Sequence, residues 1–135
     1  MGALANGVLK NNGKLISIIP TKLRSQNTLS KNSYKTIFTK DFVERKKLMI
    51  KKAKIFIVLP GGFGTLDELF EVISLNQLKL INKKIILIDV DNFWNPLQKL
   101  LKVINKEGFL YKLEDSKIIF KKSVNETIKF IEKNI

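Results

Sequence analysis

Three of the chain's seven glycines fall within four residues, in Pro60-Gly61-Gly62-Phe63-Gly64-Thr65. The run follows the apolar stretch Lys54 to Leu59 (KIFIVL) directly and opens a helical pattern. A glycine-rich turn between a strand's carboxyl end and a helix start presents backbone N–H groups and the positive end of the helix dipole, a combination that binds phosphate. A tight turn needing glycine only for positive φ is the competing explanation, although one glycine would suffice for that. The spacing is neither the G-x-x-x-x-G-K-[ST] of triphosphate loops nor the G-x-G-x-x-G of dinucleotide binders, so a monophosphate is the modest inference. Glu68, three residues beyond Thr65, puts a carboxylate near whatever the glycine loop holds. It also completes a capping box with Thr65, a device that Ser123-x-x-Glu126 repeats where no glycine loop exists. Asp67 fits a first-turn charge favouring the dipole. Arg45, one of only two arginines beside 23 lysines, suits a place that requires a planar two-pronged donor for phosphate or carboxylate; a helix-face salt bridge is the alternative. Arg24 reads as a phosphate clamp or, more simply, as solvated charge.

The composition narrows the chemistry further. The 135 residues contain no Cys and no His, which excludes thiol nucleophiles, disulfides, Ser-His-Asp triads and Cys- or His-bound metal sites. Catalysis must then run on carboxylates, Lys, Arg, hydroxyls and backbone dipoles. With 44% hydrophobic and 27% charged residues the chain reads as one folded domain spanning residues 1–135. Its net charge of +13 invites a nucleic-acid reading, yet the lysines are spread along the whole chain without a basic stripe interleaved with aromatics. The Lys, Asn and Ile excess is what an AT-rich genome would produce, and nucleic acid is not the expected partner. No apolar run approaches the ~18 residues of a membrane span. The start lacks a basic leader region, and Asn6 stands where a myristoylation signal wants Ser or Thr, so the cytoplasm is the expected location and a membrane is not.

Two apolar patterns alternate around these residues. Lys14 to Ile19, Tyr34 to Thr39, Lys54 to Leu59, Lys84 to Val90 and Lys117 to Phe120 read as strands. All but the second are short β-branched runs with little polar alternation, the mark of parallel strands covered on both faces. Helical spacing links Leu66, Leu69, Phe70 and Ile73, then Leu97, Leu100, Leu101 and Ile104, then Val124, Ile128, Ile131 and Ile135, and Asp41 to Ala53 reads as a further helix. The alternation predicts an α/β fold, Rossmann-like, with a mostly parallel sheet and helices on both faces. Asn95 before Pro96, Thr65 and Ser123 are the expected helix caps. The polar stretch Thr21 to Ser33 reads as a loop long enough to be functional.

Glu44-Arg45-Lys46 followed by Pro60-Gly-Gly-Phe-Gly-Thr-Leu-Asp-Glu68 behind an apolar strand resembles the Lonely Guy (LOG) family of phosphoribohydrolases, whose signature is P-G-G-x-G-T-x-x-E preceded by an R-K pair. Met1-Gly2-Ala3 with Ala5 is similar to the family's M-G-A-x-A helix, and Lys14 to Pro20 to its strand ending in I-P, so the likeness covers essentially the whole chain. Set against that pattern, the chain opens where the family has already completed a first β-α-β segment. The resemblance therefore implies a partial domain with a sheet edge and helix faces left uncovered. Val43 stands where the family often has His, and Lys22 lies near a position the plant enzymes often fill with Glu, departures that bear on substrate choice.

The resemblance implies hydrolysis of the N-glycosidic bond of a nucleoside 5′-monophosphate, a cytokinin ribotide or AMP, to free base and ribose 5-phosphate. It assigns Glu68 and Arg45 as catalytic, Glu68 stabilising the oxocarbenium-like sugar and positioning water while Arg45 orients it. Lys46 would add charge nearby; Gly61, Gly62, Phe63, Gly64 and Thr65 would seat the 5′-phosphate; Ser74, further along the same helix, is placed with the substrate-binding residues. It requires no metal or organic cofactor and implies a homodimer. A non-catalytic nucleotide or phosphate-ligand carrier on the same fold, or an inactive truncated form, is the alternative. Similar proteins are often labelled lysine decarboxylases, but no Lys here is singled out as a pyridoxal-phosphate Schiff base.

Overall fold

A computed structural model of the chain describes residues 2–24 and 33–134. Residues 25–32, the middle of the loop expected over Thr21 to Ser33, lie outside the described residues, as do Met1 and Ile135. The chain divides into two compact units, Met1–Lys52 and Ala53–Ile135.

In the first unit, helix α1 (Gly2–Lys10) precedes strand β1 (Ile16–Pro20), and strand β2 (Lys35–Thr39) precedes helix α2 (Phe42–Lys52). β1 and β2 pair in parallel, from Ile16 opposite Lys35 to Pro20 opposite Thr39. α1 ends at Asn12 in the left-handed region (φ 56°), with Gly13 N–H donating to Val8 O at 2.8 Å, a turn that satisfies the last carbonyls. The start of α2 is fixed by two reciprocal bonds. Asp41 Oδ1 accepts from Glu44 N–H at 2.8 Å, and Glu44 Oε2 accepts from Lys40 N–H at 2.7 Å. The start of the expected loop is instead a 3-10 turn (Thr21–Leu23), pinned by Thr21 Oγ1 donating to Thr39 O at 2.8 Å.

The second unit is a three-stranded parallel sheet in the order β3 (Ile55–Val58), β4 (Lys84–Ile88), β5 (Ile118–Lys121). Helix α3 (Phe63–Gln77) links β3 to β4, α4 (Asn95–Lys106) links β4 to β5, and α5 (Val124–Asn134) follows β5. The α/β class and the parallel pairing match the sequence reading. Connections between neighbouring parallel strands are right-handed as a rule, which puts α3 and α4 over the same face, and α5 packs on β4 and β5. Both side-chain rows of β4 are consequently closed, with Ile85, Ile86 and Leu87 at 0% exposure. Leu69, Val72 and Ile73 of α3, and Trp94, Leu97 and Leu101 at and within α4, complete this core.

Polar groups close the amino-terminal end of this sheet. Asn76 Nδ2 donates to Lys83 O at 2.9 Å and Ser116 O at 3.1 Å, while Asn76 Oδ1 accepts from Lys83 N–H at 3.0 Å. Gln77 Nε2 donates to Lys112 O and Ser116 Oγ at 2.7 and 2.8 Å. These side chains stand in for strand pairing where the chain enters β4 and β5, the usual condition for burying an amide.

Several expectations change. Cover on both faces holds for β4 alone, because Ile16 of β1 (44% exposed) and Ile57 of β3 (49%) belong to strands at the edges of their sheets. The apolar stripe of α5 coincides with its buried face only in part: Val124 and Ile128 are exposed, Ile131 is half-buried, and Thr127, its hydroxyl donating to Ser123 O, is buried. Val90 lies past β4 in a 3-10 turn (Val90–Asn92).

Candidate active site

The glycine loop leaves β3 at its carboxyl end and enters α3, whose amino-terminal cap is Gly62 (φ −93°, ψ −156°) with Phe63 as first helical residue. Thr65 is therefore inside the helix, and the capping box expected from Thr65 and Glu68 does not form; Leu66 N–H already bonds back to Gly62 O at 3.1 Å. The helix starts two residues before Thr65, with Gly62 as its cap and no side-chain bond to it. Ser123 does cap α5, with Glu126 N–H donating to its Oγ at 3.2 Å and Glu126 Oε2 accepting from Lys122 N–H at 3.0 Å. Asn95 is not a cap either. Trp94 holds that position before α4, and Trp94 N–H is taken by Asp89 Oδ1 at 2.7 Å.

The three loop glycines have different reasons to be glycine, and none is positive φ, which among the described glycines belongs to Gly108. A Cβ on Gly61 would lie 2.9 Å from Thr65 Cβ and collide with Thr65 Oγ1, so internal packing demands glycine there. A Cβ on Gly62 or Gly64 would meet nothing within 4 Å. In a helix's first turn Gly64 costs up to about 1 kcal/mol relative to Ala. No contact with a described residue requires that cost. Bare backbone at these two positions leaves room for a ligand to approach the N–H groups at the start of α3, where the dipole favours an anion.

Glu68 is half-buried, about a turn and a half into α3. Phe63 is 92% exposed at the helix start. It heads the solvent-facing stripe Phe63, Asp67, Phe70 and Ser74, whose spacing of four, three and four residues sets Ser74 on a different side of the helix from Glu68. All these residues lie in the second unit.

Arg45 and Lys46 lie on α2 of the first unit, both half-buried. Arg45 Nε donates to Ile18 O at 3.2 Å, which directs the guanidinium to the carboxyl half of β1. Arg24 is not plain solvated charge. Its guanidinium carbon lies 4.9 Å from the centre of the Phe38 ring, a cation–π contact. Sequence reasoning also missed the Asp89–Lys122 pair at the carboxyl ends of β4 and β5. Lys122 Nζ sits 2.6 Å from Asp89 Oδ2 and 2.8 Å from Asn92 Oδ1. The ammonium holds the Asp89 carboxyl below its ordinary range against the opposing effect of burial. The signal available beforehand was a lone Asp closing an otherwise apolar strand.

No group of three or more carboxylates among the described residues is placed to hold a metal ion. No helix among them is long and apolar enough to cross a membrane.

Comparison with known proteins adds to this geometry. The family profile described as "possible lysine decarboxylase" matches residues 1–131. The Arabidopsis thaliana cytokinin riboside 5′-monophosphate phosphoribohydrolase LOG1 is 31% identical over 132 residues, 98% of this chain and 62% of its own length. A protein from Rhodococcoides fascians with the same enzyme name is 31% identical over 129 residues, 95% of this chain and 65% of its own. The rice (Oryza sativa subsp. japonica) probable cytokinin riboside 5′-monophosphate phosphoribohydrolase LOG4 is 34% identical over 110 residues, 82% of this chain and 48% of its own. The chain thus spans about half to two thirds of the length of these relatives.

Proposed function

The chain belongs to the family described as possible lysine decarboxylase, and from that premise we propose that it hydrolyses the N-glycosidic bond of nucleoside 5′-monophosphates, releasing the free base and ribose 5-phosphate. The observation that carries this reading is the pair of glycines at the start of α3, Gly62 and Gly64, that no contact with a described residue explains. The enzyme names of the curated relatives support the same chemistry.

In this reading the N–H groups of Gly61, Gly62, Phe63, Gly64 and Thr65 seat the 5′-phosphate at the start of α3. Glu68 faces the ribose. As the C1′–N bond lengthens the sugar gains oxocarbenium character, which a fixed carboxylate stabilises while it holds the attacking water. Arg45 helps to hold the substrate, and Lys46 adds positive charge. The substrates are cytokinin ribotides and AMP. The working protein is a cytoplasmic homodimer.

The test is release of free base from AMP and from isopentenyladenine ribotide by the purified chain, with Glu68→Gln in parallel. Base release by the parent protein, lost in a Glu68→Gln variant that still binds AMP, is the expected result. A folded protein that binds AMP and releases no base overturns the hydrolase in favour of a nucleotide carrier.

A further inference from the structure

The carboxyl edge of the second unit's sheet carries a cation that the reaction above does not use. β3, β4 and β5 run parallel, with Val58 opposite Leu87 and Ile88 opposite Lys121. Carried on by one or two residues, this register sets Pro60, Asp89 and Lys122 level with one another. In open α/β sheets ligands lie along this edge. The Lys122 backbone is then two strand spacings, ~10 Å, from the glycine loop. Its ammonium is drawn back over β4 by Asp89 and Asn92, so it stands nearer the loop than its backbone does.

Three features distinguish this ammonium from an ordinary surface lysine. Its main anchor, Asp89, is only 3% exposed, while the Lys122 side chain is 59% exposed. The second anchor, Asn92, is delivered by two consecutive residues in the left-handed region, Asp91 (φ 50°) and Asn92 (φ 60°). Asp and Asn enter that region at the least cost among residues with a Cβ, yet two in succession persist only when the surroundings fix them. Finally, an ammonium has three donors, and these two bonds use two of them. One N–H remains on a head group that is fixed in place.

We propose that Lys122 is a specificity-determining residue that donates this hydrogen bond to an acceptor on the departing base. The proposal rests on the hydrolase reading. A nucleoside monophosphate with its phosphate at the start of α3 and its sugar at Glu68 extends its base along the sheet edge. When the C1′–N bond breaks, its electron pair leaves with the base; water supplies the hydroxyl that C1′ gains and the proton that the base finally carries. A donor fixed at the base stabilises the negative charge during that step.

Lys122→Met alone would strand the buried Asp89 carboxylate, so the test uses Asp89→Asn/Lys122→Met, which replaces both partners. Two substrates are compared: AMP, and a 4-nitrophenyl ribofuranoside 5-phosphate whose nitrophenolate leaves without assistance. We expect kcat/KM for AMP, relative to that for the nitrophenyl substrate, to fall about tenfold or more. A merely structural pair lowers both in parallel and leaves the ratio where it was, which overturns the assignment. Loss of folded fraction cannot move the ratio either, and Asp89→Asn/Lys122→Leu, which also replaces both partners, is judged in the same way should the first double variant fold poorly. A parent protein that cleaves the nitrophenyl substrate and AMP while the ratio holds in both variants defeats Lys122 alone. One that binds AMP and cleaves neither substrate defeats the hydrolase reading and this assignment with it.

Discussion

Gly61 and Thr65 pack so closely that a Cβ on Gly61 would stand 2.9 Å from Thr65 Cβ, while Gly62 and Gly64 on either side of Phe63 face open space. Opposite behaviour of neighbouring glycines follows. Gly61→Ala forces backbone movement and should cost about 1 to 3 kcal/mol of stability. Gly64→Ala should leave stability unchanged or raise it by up to about 1 kcal/mol, because Ala is the better helix former. Both should weaken AMP binding. Denaturant melts beside calorimetric titration would separate the effects, and Gly64→Ala binding AMP as tightly as the parent would remove the loop from the phosphate site.

Arg45→Lys keeps a positive charge but loses the Nε–H that bonds Ile18 O at 3.2 Å. A point charge on a flexible stem cannot reproduce a fixed planar fork. Base release should fall by about tenfold or more, and loss of the Nε–H bond to Ile18 O alone should cost about 0.5 to 1.5 kcal/mol of stability. Steady-state kinetics on AMP checks this, and parent-like turnover would restrict Arg45 to a structural role.

Asp89 supplies a pH dependence of known sign. Its carboxyl is held below the ordinary value by the Lys122 ammonium, with the Trp94 N–H bond acting in the same direction. A lowered folded-state pKa means that the carboxylate's contribution to stability is fully present above the unfolded-state value and is lost as pH falls through the folded-state one. Urea midpoints measured downward from about pH 5 should therefore drop more steeply in the parent than in Asp89→Asn. Parallel curves would show that the pair contributes nothing to acid stability.

The centre of β4 is the most sensitive point for packing. Ile86 is at 0% exposure in a strand buried on both faces. Ile86→Ala should cost about 2 to 5 kcal/mol, a large share of the about 5 to 15 kcal/mol that holds an ordinary domain folded. Truncating Ile57, which is 49% exposed on β3, should cost less than half as much. Equal losses at the two positions would contradict the burial of β4.

The sequence by itself determined the elements and their order. Short β-branched runs alternating with helical spacing require strands and helices wherever they occur, since periodicity is a local property. The five strands fall within a residue or two of their expected positions, and a helix forms over each apolar pattern after the glycine loop. The glycine loop was legible for the same reason, lying on one continuous stretch from Pro60 to Glu68. Tertiary structure decided what depends on register and cover. Lys122 meets Asp89 across 33 residues because two parallel strands end level with each other, and Arg45 meets Ile18 O across 27 because α2 packs on β1. Neither separation has a period to betray it. The burial of Thr127 on α5 while Val124 and Ile128 stay exposed likewise depended on what lies over the helix. At Thr65 the local rule yielded to its context: a capping box was available, but α3 begins at Phe63 and Gly62 is its cap.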